Sequence, residues 1–206
     1  MSDSPRVAIV GAGIFGCTSA IRLASNSYDC VLFEVKSDIM KAASRVNQYR
    51  FHKGYHYPRS LSTVKQLQAS SQAFSDEYKE ALNRNYKHLY SVAAEHSQVD
   101  KNQYLEFLEN AGLTYKVLES HPSINKNNSD LIIEADEYLI DYAHLKNTVL
   151  KRLNENDIDL RLNTEFNRNM IDEFDIIVNC SYGFSSNILP PSLIREYKYQ
   201  LLKEGT

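Results

Sequence analysis

Three glycines near the N-terminus have the spacing of a phosphate-binding turn. Gly11, Gly13 and Gly16 follow an apolar run that ends at Val10. The first glycine permits a tight turn from strand to helix, the second lets the backbone approach a pyrophosphate, and the third allows the helix to pack closely on its strand. The amino end of that helix has N–H groups without intrahelical partners and a partial positive charge, which favour phosphate binding.

An acid after the next apolar run completes this pattern. Glu34 directly follows the apolar run Tyr28–Phe33. Its distance along the chain from Gly16 is close to the roughly 20 residues that separate the glycine turn from an acid that binds ribose hydroxyls. The predicted helix between the two runs carries apolar residues at helical spacing, namely Ile14, Cys17, Ala20, Ile21 and Ala24. The sequence therefore predicts a βαβ unit that binds a dinucleotide. A glycine turn of the same shape that binds no dinucleotide is the simpler alternative.

The composition excludes several classes of protein. The chain has 206 residues, enough for one substantial core or for one domain with a smaller inserted lobe. A net charge of −3 gives no electrostatic basis for binding nucleic acid or an anionic membrane. No apolar run approaches the roughly 20 residues that cross a bilayer, and the N-terminus lacks the features of a signal peptide. We therefore expect a cytoplasmic protein whose cysteines (Cys17, Cys30 and Cys180) are core residues.

Beyond Glu34 the apolar pattern alternates between helical and strand-like periods. Helices are predicted over Leu61–Leu82, from Asp100 to Gly112, and after Asp141; Asp100 with Gln103 has the spacing of a capping box. Strands are predicted over residues 86–94, 131–134, 138–140, 158–162 and 174–179. The last of these is apolar enough to lie centrally in a sheet.

These elements predict an α/β fold with an interrupted domain. We expect a Rossmann-like nucleotide-binding domain whose first part covers residues 1–85 and which continues over residues 146–186. An antiparallel β-rich lobe is expected over residues 86–145, and residues 187–206 are expected to begin a further strand of that lobe.

A second motif lies between Ala43 and Ser60. It contains Ala43-Ser44, then Asn47, then His52-x-Gly54, then Tyr57-Pro58. In this motif and the glycine turn, the chain resembles FAD-dependent oxidoreductases of the D-amino-acid oxidase superfamily, most closely the branch of 2-hydroxyglutarate oxidase-like enzymes. Residues 174–183 are similar to the strand by which that family returns to the FAD. The resemblance identifies the chain as the N-terminal portion of such an enzyme.

The resemblance implies a Rossmann-like FAD-binding domain with a β-rich substrate lobe. It also implies oxidation of a small 2-hydroxy acid, amine or amino acid, with hydride transfer to flavin N5. Gly11, Gly13 and Gly16 would hold the diphosphate, and Glu34 the adenosine ribose. The other residues that the resemblance places along FAD are Ile14, Phe15, Val35, Lys36, Ser44, Arg45, Asn47, Gln48, Cys180, Ser181, Tyr182 and Gly183.

Arg50, His52 and His56 are the candidate catalytic residues. They could face the flavin ring, orient a substrate carboxylate or accept a proton; the alternative is that they only fix their loop by hydrogen bonding. A metal site is not expected, because Gly54 and Pro58 argue against the helix that would place the two histidines together, and no third ligand is suitably spaced.

Two features qualify this interpretation. Asp136, Glu137 and Asp141 form an acidic cluster that helix capping and solvation explain.

The chain stops before a second glycine-rich FAD contact that the family has, so we expect a fragment that requires a missing C-terminal half or a second chain. A non-catalytic dinucleotide-binding subunit and an NAD-dependent dehydrogenase are the alternative functions.

Overall fold

A computed structural model describes residues 4–182 and 188 of the chain. Its strands are β1 (Arg6–Val10), β2 (Asp29–Phe33), β3 (Arg50–Phe51), β4 (Leu82–Asn83), β5 (His88–Ala93), β6 (Tyr115–Leu118), β7 (Ser129–Ala135), β8 (Tyr138–Ile140), β9 (Asp159–Arg161) and β10 (Ile176–Asn179). Its α-helices are α1 (Ile14–Ala24), α2 (Leu61–Tyr78), α3 (Lys101–Asn110) and α4 (Tyr142–Glu155). The α/β class predicted from the sequence is confirmed.

The chain divides into two compact units. The first unit contains residues 1–46 and 149–206, and the second contains residues 47–148. The division therefore falls within α4, close to the return predicted near residue 146, whereas residues 47–85 belong to the second unit. The assignment of residues 1–85 and 146–186 to one FAD-binding domain, and of residues 86–145 and 187–206 to a substrate lobe, stays a prediction.

The first unit is built on a parallel sheet with the strand order β10-β1-β2-β9. Val7 lies opposite Cys30 on one side and Ile176 on the other. The middle strands are nearly continuous runs of buried residues, as parallel strands covered on both faces require. On one face, Phe33 packs edge-on against Phe166, with ring centres 5.1 Å apart.

The apolar sequence of β10 predicts a central strand, and this stays a prediction. Within the described residues, β10 pairs with β1 on one side. Its first residue, Ile176, is 41% exposed. An apolar sequence indicates that a strand can be buried. The position of the strand in the sheet depends on which other strands pair with it.

The second unit contains two three-stranded antiparallel sheets. Their strand orders are β3-β8-β4 and β5-β7-β6, which confirms an antiparallel β-rich region in the middle of the chain. A core of buried side chains from α2, α3 and the β5-β7-β6 sheet includes Val64, Leu108 and Ile133. The predicted helix over Leu61–Leu82 is too long, because α2 ends at Tyr78 and Leu82 pairs with Ile140 of β8.

The described helices include none that is long and apolar enough to span a membrane. The cytoplasmic location expected from the sequence stays a prediction.

The amino end of α3 forms the predicted capping box. The Asp100 carboxylate accepts hydrogen bonds from the backbone N–H groups of Asn102 and Gln103, and the Gln103 side chain accepts one from the Asp100 N–H. These contacts satisfy N–H groups that have no partner within the helix. The helix ends before Gly112, whose φ of +64° suits a glycine.

The Asp100→Ala substitution should lower the free energy of unfolding by about 1 kcal/mol, because it removes the Oδ1 atom that accepts both hydrogen bonds at the amino end of α3. Urea denaturation of the full chain measures this difference. Asp100→Asn keeps one acceptor oxygen and should cost clearly less. Equal losses in the two variants would contradict the capping role.

Candidate cofactor site and histidine cluster

Close backbone packing forms the glycine turn between β1 and α1. Gly11 has a φ of +98°, and a Cβ atom added there would lie 2.8 Å from the backbone oxygen of Cys180. A Cβ on Gly16 would lie 1.9 Å from the backbone oxygen of Gly11. Both positions therefore exclude any side chain, and each does so because of contacts within the protein. The turn, the first helical turn and the end of β10 form one tightly packed layer.

Gly13 differs from the other two glycines. It is the N-cap residue of α1, with a φ of −70°. The nearest atom to an added Cβ is the Ser44 Oγ atom, at an ordinary contact distance of 3.5 Å. The protein itself would thus tolerate a small side chain at Gly13, so the space in front of this backbone is available to a ligand.

Glu34 is held beside the turn by hydrogen bonds to backbone N–H groups. Its Oε2 atom accepts from Ala12 at 2.9 Å, and its Oε1 atom accepts from Lys36 at 2.9 Å. Its own backbone N–H donates to the Arg161 oxygen at the end of β9. Each carboxylate oxygen has two lone pairs, so the side chain can still accept hydrogen bonds from the hydroxyls of a ribose.

The segment after β2 closes onto the turn from another side. The Met40 N–H donates to the Ala12 oxygen at 2.8 Å, and the Ile14 N–H donates to Ser44 Oγ at 3.0 Å. Arg45 follows in a tight turn in which its N–H donates to the Ala42 oxygen. The structure thus brings Ser44 to the amino end of α1, where a diphosphate would bind.

The remaining predicted cofactor residues fall into three groups. Cys180 packs against the glycine turn, and its N–H donates to the Val10 oxygen at 2.8 Å, whereas Ser181 donates to the Asn179 side chain. Exposed side chains flank the turn: Phe15 (81%), Val35 (60%) and Tyr182 (92%). Asn47 and Gln48 belong to the second unit, and Gly183 lies outside the described residues.

The three candidate catalytic residues lie near one another in the second unit. The His52 and His56 rings pack edge to face with their centres 4.6 Å apart. The Arg50 Nη2 atom donates to both Glu137 and Tyr90. Burial opposes the charged form of Arg50, but the hydrogen bond and charge of Glu137 raise its pKa above the ordinary value. The Arg50 side chain thus binds Glu137 and Tyr90, and direct contact of any of these three residues with a substrate stays a prediction.

The expectation that solvation explains the acidic cluster is wrong for Glu137. Its side chain is enclosed, and the residue is only 2% exposed. The capping part of the expectation is confirmed, since Asp141 accepts from the backbone N–H of His144 at the amino end of α4. Glu137 differs because it lies in the two-residue connection between the two sheets of its unit, where Arg50 compensates its charge.

Sequence reasoning missed two members of this cluster, Tyr90 and His88. The Tyr90 hydroxyl donates to Glu137 at 2.9 Å, and burial followed by the Glu137 charge raises its pKa. Burial lowers the pKa of His88, while the Glu137 charge acts in the opposite direction. Both lie on β5, about forty residues from Arg50, and nothing in their local sequence indicates that they would meet it.

Comparison with known proteins places the chain in a family. The family model described as FAD dependent oxidoreductase matches residues 6–200, so the chain belongs to the FAD-dependent oxidoreductases of the D-amino-acid oxidase type. FAD is the cofactor of that family, as the sequence resemblance implied.

An FAD-dependent monooxygenase of Fusarium mangiferae is 30% identical over 107 residues, which are 52% of this chain and 29% of the relative. Another from Aspergillus flavus is 36% identical over 86 residues, 42% of this chain and 20% of the relative.

Solved structures share the fold. Glycine oxidase from Geobacillus kaustophilus superposes with a TM-score of 0.61 at 18% identity, covering 79% of this chain and 48% of that one. L-α-glycerophosphate oxidase from Mycoplasma pneumoniae, solved with FAD bound, has a TM-score of 0.61 at 19% identity and covers 79% and 46%. The chain thus spans less than half the length of these relatives. The finer resemblance to 2-hydroxyglutarate oxidases stays a prediction.

The histidines of the second unit predict that acid destabilises the protein. Burial lowers the pKa of His52, His56 and His88 in the folded state. The unfolded chain therefore binds more protons below its ordinary histidine pKa of about 6.5, so stability is complete above that pH and falls as the pH decreases through it. The melting temperature should be lower at pH 5 than at pH 8.

The contribution of one histidine can be isolated by substitution. His52→Gln should reduce the difference between the two melting temperatures, because it removes a group that binds its proton more readily in the unfolded chain. His96→Gln, at a side chain that is 95% exposed, is the matched control. The same pH dependence in wild type and His52→Gln would contradict the assignment.

Proposed function

We propose that this chain binds FAD and forms the cofactor-binding portion of an oxidoreductase that acts on a small 2-hydroxy acid, amine or amino acid. The observation that carries the proposal is the turn at Gly13, where the backbone is open to a ligand although the neighbouring glycines are tightly packed by protein. A diphosphate fits there, beside the amino end of α1 and the hydroxyl of Ser44.

The residues of the first unit have complementary tasks in this proposal. The backbone at Gly13 binds the diphosphate, the Glu34 carboxylate accepts hydrogen bonds from the adenosine ribose, and the exposed Tyr182 ring covers the adenine side. When bound, FAD supplies the oxidant, accepting a hydride at N5 from the carbon that bears the substrate amine or hydroxyl. The protein contributes binding, orientation and exclusion of water.

The candidate residues of the second unit would act on the substrate. Burial lowers the pKa of His52 and His56 and so favours their neutral form, and a neutral imidazole can accept a proton from a substrate amine or hydroxyl. This assignment is consistent with a small-molecule substrate. It gives no role to Arg50 as a free carboxylate-binding cation, because Glu137 already neutralises it.

Reconstitution with FAD tests the proposal directly. We expect the purified full chain to quench flavin fluorescence on binding and to retain a yellow colour after gel filtration, whereas NAD⁺ at the same concentration does not compete. Displacement of the flavin by NAD⁺ would favour the nicotinamide-dependent alternative. Failure to bind either nucleotide would overturn the proposal.

Turnover is a separate question, because the chain spans less than half of the solved relatives. A panel of 2-hydroxy acids, amino acids and amines should reduce the bound flavin anaerobically if the substrate assignment is right. FAD that binds but is reduced by none of them would favour the alternative of a non-catalytic dinucleotide-binding subunit, which needs a second chain for activity.

Gly13→Val should abolish FAD retention while leaving the fold intact. The branched side chain would occupy the space of the diphosphate, whereas the φ of −70° is one that any residue adopts. Flavin absorbance of the purified variant and its far-UV circular dichroism measure the two effects. Ala24→Val, which adds branching at the opposite end of α1, is the control and should retain FAD. Unchanged FAD content in Gly13→Val would contradict the assignment.

A further inference from the structure

Glu137 is the one buried charged residue in the part of the chain that the structure describes. Its Oε1 atom accepts from the Lys53 N–H at 2.9 Å, and its Oε2 atom accepts from the Tyr90 hydroxyl at 2.9 Å and from Arg50. Removing a carboxylate from water is costly, so a site of this kind persists only when hydrogen bonds and an opposite charge compensate it. Both oxygens of Glu137 are used in this way.

These contacts hold one short segment at several points. Glu137 binds the Arg50 side chain and the Lys53 backbone, and the neighbouring Asp136 N–H donates to the Tyr55 hydroxyl at 3.2 Å. Gly54 completes the turn with a φ of +105°, where an added Cβ would lie 2.9 Å from a methyl group of Val64. The segment from Arg50 to His56 is thus fixed by the connection between β7 and β8.

The two histidines of this segment are placed by the contacts of their neighbours. His52 lies between the anchored residues Arg50 and Lys53, and His56 directly follows the buried Tyr55. The Nδ1 atom of His52 is buried and has no hydrogen-bond partner among the residues that the structure describes. The anchored backbone on either side and the ring contacts with His56 and Tyr57 therefore hold the His52 ring.

We propose that Glu137 is a positioning residue, which holds the Arg50–His56 segment and thereby places His52 and His56 for contact with the substrate. This inference rests on the proposed function, because it uses the substrate-facing role of the two histidines. The competing explanation is an ion pair that only stabilises the second unit.

The placement of the two rings separates the two explanations, and their pKa values report the charges around them. Burial lowers the pKa of His52, the Glu137 charge raises it, and the Arg50 charge lowers it; the same groups and His52 itself act on His56. Glu137→Gln leaves the Arg50 charge without its partner. The amide also has one acceptor oxygen where the carboxylate has two, so it cannot keep both the Arg50 and the Lys53 contacts.

The test is a histidine titration of the full chain by NMR, with the His52 and His56 signals assigned by single substitutions. In Glu137→Gln we expect the nuclear Overhauser contact between the His52 and His56 rings to be lost and both pKa values to shift downward, while the FAD content stays that of the wild type. A pKa shift with the ring contact intact is the result expected of an ion pair that only stabilises the second unit, and it would overturn the proposal. Glu134→Gln is the matched control, because Glu134 precedes the same connection and forms an ion pair with Lys87 at a more exposed position. Glu134→Gln should change neither the pKa values of His52 and His56 nor the contact between their rings.

Three results would overturn the proposal. These are an unchanged contact between the His52 and His56 rings in Glu137→Gln, an equal change in Glu134→Gln, and loss of FAD from Glu137→Gln, which would mean that Glu137 acts on the whole fold. If Glu137→Gln does not fold, hydrogen exchange of the Lys53 amide in the wild type decides. Protection supports the proposal, and exchange at the rate of an unstructured peptide overturns it. If the wild type binds no FAD, the proposed function fails, whereas the titration still reports on the placement of the histidines.

Discussion

The close approach of three stretches of backbone at the end of β1 is the constraint on which the first unit depends. Gly11, Gly16 and the carbonyl of Cys180 meet at distances that leave no room for a Cβ atom. This packing sets the direction of α1 and therefore the place where its partial positive charge is exposed. Ser44 and Glu34 can reach the same turn only because the strand, the turn and the helix are held in this geometry.

The second unit depends on a different kind of constraint. Its two antiparallel sheets are joined by a connection of two acidic residues, and one of these, Glu137, is enclosed rather than solvated. A buried carboxylate requires compensation, and Arg50, Tyr90 and the Lys53 N–H provide it. The segment that carries His52 and His56 is held by these contacts as well as by the pairing of β3 with β8.

The two units differ in the groups that they present. The first unit presents the backbone of a glycine turn and one acid beside it. The second unit contains three histidines whose pKa is lowered by burial. The cofactor carries the redox chemistry in this family, so the protein's contribution is placement.

The sequence by itself determined the features that depend on neighbours along the chain. The glycine turn, the amphipathic helix after it and the capping box at Asp100 were all predictable, because backbone conformation and helix capping involve residues within a few positions of one another. Three features were decided by tertiary structure alone. β10 lies at an edge of the described sheet, Leu82 pairs with Ile140 instead of continuing the predicted helix, and Glu137 is buried. Each of these features depends on partners that are remote in sequence. The free-energy cost of an enclosed charge or an unpaired strand is offset only by residues that the fold brings together.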